Sequence, residues 1–131
     1  NLARLPQAQW YCTRAALAAC NGEQRERFIP LDEGECPFRN VALALTPGHT
    51  PGHGSLVWSA GGVRIAIAGD AIINLAWLQS GHIWRFNGDF DSAEMARESA
   101  ARLLRAADLI IPGHGQPFFV QPGMLAGLKG R

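Results

Sequence analysis

No apolar run in this 131-residue chain approaches the length of a bilayer span, so none of its segments reads as a helical membrane anchor. Charge is scarce as well. Charged residues make up 18% and the formal net charge is +1, with no cluster of Lys or Arg. That leaves no electrostatic footprint for a nucleic acid. Cysteine is limited to Cys12, Cys20 and Cys36, an odd number without C-x-x-C spacing and with no histidine beside any of them. A cysteine-based metal site is therefore excluded, and reduced thiols in a cytoplasmic protein are the expectation, with a Cys12–Cys20 disulfide as the alternative. The amino terminus, Asn1-Leu-Ala-Arg-Leu-Pro, has the character of neither a signal nor a transit peptide. Repeats and low-complexity linkers are missing too. What is present is a 47% hydrophobic composition over a length that suits a single globular domain spanning 1–131 with a real core.

The apolar residues fall into short runs separated by Pro and Gly. Gln9–Thr13 is rich in strand formers. Thr13 can cap a helix from Arg14 to about Cys20, stopped at Asn21-Gly22. Residues 23–40 read as a polar loop with one short strand near 27–31. Val41–Leu45 is apolar on both faces and is expected to be an internal strand. Ser55–Trp58 and Val63–Ala68 flank Gly61-Gly62, a hairpin signal. Residues 72–88 have weak periodicity and are expected to be an irregular cover that includes Trp77, His82, Trp84 and Phe86. A helix over 92–107 is marked by Asp91-Ser92-Ala93-Glu94 at its start, with Met95, Ala96, Ala100, Leu103, Leu104 and Ala107 as its apolar stripe. Asp108–Ile111 and Phe118–Val120 are further strands, and the tail from Gln121 is weakly specified. Mixed strands followed by helix and strand fit an α/β layered sandwich.

Three of the apolar runs end in a side chain able to bind a metal. Val41–Leu45 leads into Thr46-Pro-Gly-His-Thr-Pro-Gly-His-Gly54, Ile65–Ala68 into Gly69-Asp70, and Leu109–Ile111 into Pro112-Gly-His114-Gly. A histidine in a turn is usually an ordinary one, and Gly-Asp after a strand is usually an Asx turn. The joint order His49, Asp70, His114, each just past a strand, favours a metal site. Imidazole and carboxylate are normal ligands of zinc, and also of iron and manganese. Such a metal would lower the pKa of bound water to about 7. Pro and Gly would hold the ligand loops rigid.

The doubled Thr-Pro-Gly-His, then Ala-Gly-Asp, then Ile-Pro-Gly-His-Gly resemble the second half of the metallo-β-lactamase superfamily, in the style of glyoxalase II and related hydrolases. The resemblance implies an αββα sandwich. It implies His49, Asp70 and His114 as metal ligands, with Asp70 bridging two metals and given a catalytic role. His53 falls at a position near the site that is not usually a ligand; it supports the loop or is plainly structural. The implied reaction is hydrolysis of an ester, thioester or amide of a small molecule by metal-bound hydroxide. The family's first metal motif, His-x-His-x-Asp-His, is not in this chain, whose histidines are His49, His53, His82 and His114. Asn1-Leu2 and Gln9–Thr13 look like the stretch that follows it. The expectations are therefore a carboxyl-terminal part of the fold, at most one weakly held metal, and an exposed edge and apolar face covered by oligomerisation or a partner fragment. The alternative is a non-catalytic remnant that forms an oligomer. A nuclease is disfavoured by the lack of a basic surface.

Overall fold

The computed structural model describes residues 7–81 and 91–129. In chain order the elements are β1 (Trp10–Thr13), α1 (Arg14–Ala19), α2 (Glu23–Glu26), β2 (Phe28–Leu31), β3 (Val41–Leu45), β4 (Gly54–Ala60), β5 (Val63–Gly69), α3 (Leu75–Ser80), α4 (Ala93–Ala106), β6 (Leu109–Pro112), β7 (Phe118–Phe119) and α5 (Met124–Lys129). β1 and β2 pair in parallel as a small sheet of their own, and the other strands form one five-stranded sheet in the order β3-β4-β5-β6-β7. β3, β4 and β5 are antiparallel neighbours and β6 runs parallel to β5. As a result β3, β5 and β6 all point the same way, and the loops that follow them emerge at one end of the sheet.

The strand residues alternate between two faces. Ala44, Ala66, Ala68, Ile110 and Phe118 lie on the face under the helices, where they join Trp77, Leu78, Ala100, Leu103, Leu104 and Leu128 in one core. Small residues on this face let α4 lie close to β5. The cross-strand partners Trp58, Ile65 and Leu109, with Val63 and Ile67, fall on the opposite face. There Trp58, Val63 and Ile67 remain about 40% exposed and Phe119 67%. Among the described residues, the β3/β4 end of this face is roofed by β1 and the loop at Cys36–Phe38. Between roof and sheet is a cavity of about 320 Å³ lined by Tyr11, Thr13, Phe38, Leu43 and Leu56 among others. The architecture is thus a helical layer, a mixed sheet, and the beginning of a second β layer.

Several expectations need correction. Val41–Leu45 is an edge strand, not an internal one. Its apolar character follows from a cover of another kind: the loop before it bonds its outer edge, Gly34 N–H to Leu43 O at 2.8 Å and Leu43 N–H to Glu35 O at 3.0 Å. The Glu33 carboxylate takes the Leu45 N–H at 2.7 Å, so the edge is closed to further pairing. The segment after Asp70 includes a helix, α3, capped by the Asn74 side chain, which accepts from Trp77 N–H. Residues 23–26 and the tail from Met124 are also helical. Met95, placed on the buried stripe of α4, is 38% exposed, and Ser99 is buried instead. The reason is a bond from the Ser99 hydroxyl to the Pro47 carbonyl at 2.7 Å. The Thr13 cap, the helix start at Asp91–Glu94 and the Gly61-Gly62 turn stand as read; Ser92 is the cap of α4, and the two glycines lie at φ 58° and 82°. The three cysteines are free thiols. His82, Trp84 and Phe86 lie outside the described residues.

Candidate metal centre

His49 sits in the loop after β3, and this loop is held from two sides. On one side it is tied to the start of α4. Asp91 N–H and Ser92 N–H reach the Gly48 carbonyl at 3.1 and 3.0 Å, Asp91 N–H also reaches the His49 carbonyl at 3.2 Å, and Ser99 holds Pro47. On the other side Thr13 Oγ1 donates to the Gly52 carbonyl at 2.6 Å. The two Pro-Gly steps have matching functions. A methyl group at Gly48 would collide with the backbone of Ala96, and one at Gly52 with the backbone of Ala16. Each glycine lets the loop rest directly on a helix, α4 in one case and α1 in the other.

Asp70 follows β5 after a bulge between Ile67 and Gly69. Gly69, at φ 54°, turns the chain out of the sheet. His114 follows β6. Its loop is laced to the Asp70 loop by Gly113 N–H to Ile72 O at 3.1 Å and His114 N–H to Ile73 O at 2.7 Å. A side chain at Gly113 would occupy the space of the Asp70 carboxylate.

The three loops bring the predicted ligands together. Asp70 Oδ2 lies 3.4 Å from His49 Nε2, and Asp70 Oδ1 lies 3.4 Å from His114 Nε2. His49 is the most enclosed of the three side chains at 15% exposure, Asp70 follows at 32%, and His114 is open at 71%. The His49 and His53 rings meet edge to face at 6.1 Å. His53 turns away from the cluster to accept from the Asp70 backbone N–H through Nε2 at 3.2 Å, while its Nδ1 lies 2.8 Å from Thr46 Oγ1. Burial, and His49 nearby, push the His53 pKa below the ordinary imidazole value, so the neutral ring is favoured.

Two donors each ~2.1 Å from one ion at a tetrahedral angle stand ~3.4 Å apart. Both His–Asp pairs have that spacing, but on opposite oxygens of one carboxylate. Among the described residues no three His, Cys, Asp or Glu side chains gather into a set able to hold a metal ion. The arrangement is instead two His–Asp pairs that share the Asp70 carboxylate.

Comparison with known proteins bears on the family and the fold. The family model of the metallo-beta-lactamase superfamily matches residues 23–114. The chain belongs to the metallo-beta-lactamase superfamily. It is 32% identical over 101 residues to the Homo sapiens metallo-beta-lactamase domain-containing protein 1, covering 72% of this chain and 36% of that protein. Its fold matches that of the protein TTHA1623, solved in a di-iron-bound form, at TM-score 0.64 and 21% identity over 99% of this chain and 65% of that one. It also matches an N-acyl homoserine lactone hydrolase with the product N-hexanoyl-L-homoserine at its catalytic metal centre, at TM-score 0.59 and 21% identity over 79% of this chain and 46% of that one. The chain therefore spans about a third of the curated relative and between about half and two thirds of these structures.

Sequence reading picked out His49, Asp70 and His114 but not the residues that hold them. The supporting roles of Thr46, Ser55, Ser99 and Gly113 emerge from the structure. Gly113 lay inside a quoted motif, yet nothing in that motif says which carboxylate it makes room for. Thr46 and Ser55 flank the doubled loop, and a hydroxyl at the end of an apolar strand was the available signal.

Proposed function

We propose that this chain carries one half of the metal centre of a hydrolase acting on a small-molecule ester, thioester or amide. The observation that supports it most is the Asp70 carboxylate between two imidazoles, one oxygen facing each at 3.4 Å. His49, Asp70 and His114 would hold the metal, at most one ion and weakly in the chain as given, with zinc, iron or manganese all suited to such donors. Bound there, the metal supplies a Lewis acid that acidifies water and polarises a carbonyl. The chain's own contribution is placement. The Pro-Gly steps, the α4 start and the Ile72/Ile73 lacing fix three ligands before any ion arrives, and the exposed His114 side leaves a path for substrate. Among the described residues these donors do not gather into a complete set, so a complete catalytic site would take further ligands from elsewhere. Three free thiols suit a reducing, cytoplasmic setting, and no helix among the described residues is long and apolar enough to cross a membrane.

The test is metal content and calorimetric zinc titration of the purified chain beside His49→Ala, Asp70→Ala and His114→Ala. Asp70→Ala should remove all binding, and each histidine variant should weaken it. Binding that survives Asp70→Ala undiminished would sink the assignment.

A second reading has its own observation, the uncovered sheet face with Trp58, Val63, Ile67 and Phe119. A contiguous apolar patch of this kind marks an interface. On this reading the chain as given self-associates through that face as a non-catalytic oligomer, with weak metal binding or none. Sedimentation should then give a mass above that of one chain, and Ile67→Lys should reduce it; a monomer at all concentrations rules it out.

A further inference from the structure

Thr46 and Ser55 are buried at 0% and 1% exposure, and neither has a part in holding a metal. Their hydroxyls are the middle of a chain of hydrogen bonds whose direction can be worked out from its ends. Ser55 Oγ lies 2.9 Å from the Ala68 carbonyl, which can only accept, so Ser55 donates its single proton there. Ser55 Oγ must then accept from Thr46 Oγ1, 2.8 Å away. With its proton committed, Thr46 accepts at its other contact, and the proton between Thr46 and His53 belongs to Nδ1. At the far end the Asp70 backbone N–H donates to His53 Nε2, which must be bare. Both ends select the same form of the ring, neutral with the proton on Nδ1.

The two ends also have a meaning in the fold. Ala68 and Asp70 flank Gly69 at the bulge where β5 leaves the sheet. The ring of His53 occupies the space beside Gly69 that a side chain there would take, 3.1 Å from the position of an added Cβ. The hydrogen-bond chain therefore grips the bulge on both sides, at the Ala68 carbonyl through Ser55 and at the Asp70 N–H through His53.

We propose that the chain Ser55–Thr46–His53 is the positioning device of Asp70: it locks His53 in the Nδ1–H form and thereby fixes the backbone from which the shared carboxylate projects. Thr46 and Ser55 act through His53 and are positioning residues; they touch no metal or substrate. The consequence for affinity rests on Asp70 being a metal ligand. The lock itself does not. In the other form, Nε2–H would point at the Asp70 N–H, and at the buried end Thr46 would have to turn its proton to Nδ1 and leave Ser55 Oγ without a donor.

The test uses the chain labelled with ¹⁵N-histidine and free of metal, read by long-range ¹H–¹⁵N correlation. Zinc titration by calorimetry follows on the same samples. The variants are Thr46→Val, Thr46→Ser and Ser55→Ala, with Gly61→Ala in the open hairpin turn as a control for lost stability. Wild type should show one His53 form, with the proton on Nδ1. Thr46→Val and Ser55→Ala should show mixed forms, a shifted Asp70 amide and zinc binding weakened by about 10- to 100-fold. Thr46→Ser, which keeps the hydroxyl, should match wild type, and so should Gly61→Ala in both readouts. A wild-type proton on Nε2 overturns the proposal, as does folded Thr46→Val with an unchanged His53 form. If the wild type binds no zinc, the metal reading fails alone, and the spectra still decide the lock. If Thr46→Val does not fold, the wild-type and Ser55→Ala spectra decide it.

Discussion

Gly113→Ala makes the sharpest separation between packing and function in this molecule. An added Cβ at Gly113 would overlap the Asp70 carboxylate and stand 2.9 Å from the Gly69 carbonyl group. Ordinary contact at such a carbon begins near 3.4 Å, so the Gly69 side must open by about half an ångström and Asp70 must swing away. Neither loop can yield easily, because Gly113 and His114 are bonded to Ile72 and Ile73 at 3.1 and 2.7 Å. Overpacking of this kind costs about 1–3 kcal/mol, which in a chain of this size lowers Tm by very roughly 3–15 °C. The functional loss should be larger in proportion. A carboxylate displaced by this much leaves the 3.4 Å spacing to both imidazoles, and zinc affinity should fall by 100-fold or more. Gly61→Ala is the comparison. Gly61 has φ 58° with open space around it, so alanine there costs about 1–2 kcal/mol of left-handed strain while Asp70 is untouched. Thermal unfolding and calorimetric zinc titration of the two variants give the answer. If Gly113→Ala binds zinc like the wild type, or like Gly61→Ala at equal stability, the arrangement of Gly113 against Asp70 is wrong.

Three further outcomes follow from the contacts. Ser99→Ala removes the donor to the Pro47 carbonyl and should cost about 1 kcal/mol in urea unfolding, with zinc affinity lowered because the His49 loop loses one of its ties to α4. Thr13→Val removes both the α1 cap and the bond to the Gly52 carbonyl; about 1–2 kcal/mol of stability should be lost, while Thr13→Ser should keep most of it. Asp108 receives the Arg64 backbone N–H at 2.8 Å and its guanidinium at 3.4 Å, and these hold its carboxyl below the usual range, the backbone bond first. A depressed carboxylate pKa stabilises the fold above the unfolded value of about 4 and ceases to do so as pH falls through the folded one. Asp108→Ala should therefore lower Tm at pH 7, with the difference from wild type shrinking below about pH 4.

The meeting of His49, Asp70 and His114 was legible in the sequence because each obeys a local rule. A short apolar run followed by Pro-Gly or Gly-Asp places a strand end and the residue beyond it, and such a rule needs no knowledge of the partner strand. Whether three strand ends meet depends on direction. The β3–β4–β5 meander restores the direction of β3 in β5, and a crossover through α4 restores it again in β6. The hairpin and the α4 pattern carried that much. The rank of Val41–Leu45 in the sheet was not carried, because an edge strand bonded by Gly34 and Glu35 buries its residues as an internal strand does. Nor was α3 legible, since its cap is Asn74 and its apolar face is short. The holding residues are harder still. Ser99 sits on a helix stripe where serine reads as an interruption, and only the approach of Pro47 makes it the right residue.

The two faces of the sheet divide the labour of the site. On the helical face small residues dominate β5, with Ala66 and Ala68 at 0% exposure, and this close approach is what lets α4 reach over and grip the His49 loop through Ser92 and Ser99. On the opposite face the same strands carry Trp58, Val63 and Ile67, large and uncovered. The His49 loop is therefore gripped by α4 from the covered side and by Thr13 and α1 from the other. If the proposed metal centre holds, additional donors and walls for a substrate would have to come from the open side, next to the exposed His114. A protein layer that docks on Trp58, Val63, Ile67 and Phe119 would bury those side chains and bring new residues to the same end of the sheet. Stability and completion of the site would then come from one event, so zinc affinity should rise together with the burial of Trp58. Trp58 fluorescence recorded during zinc titration at increasing protein concentration tests that coupling, and affinity that stays constant while Trp58 becomes buried would separate the two.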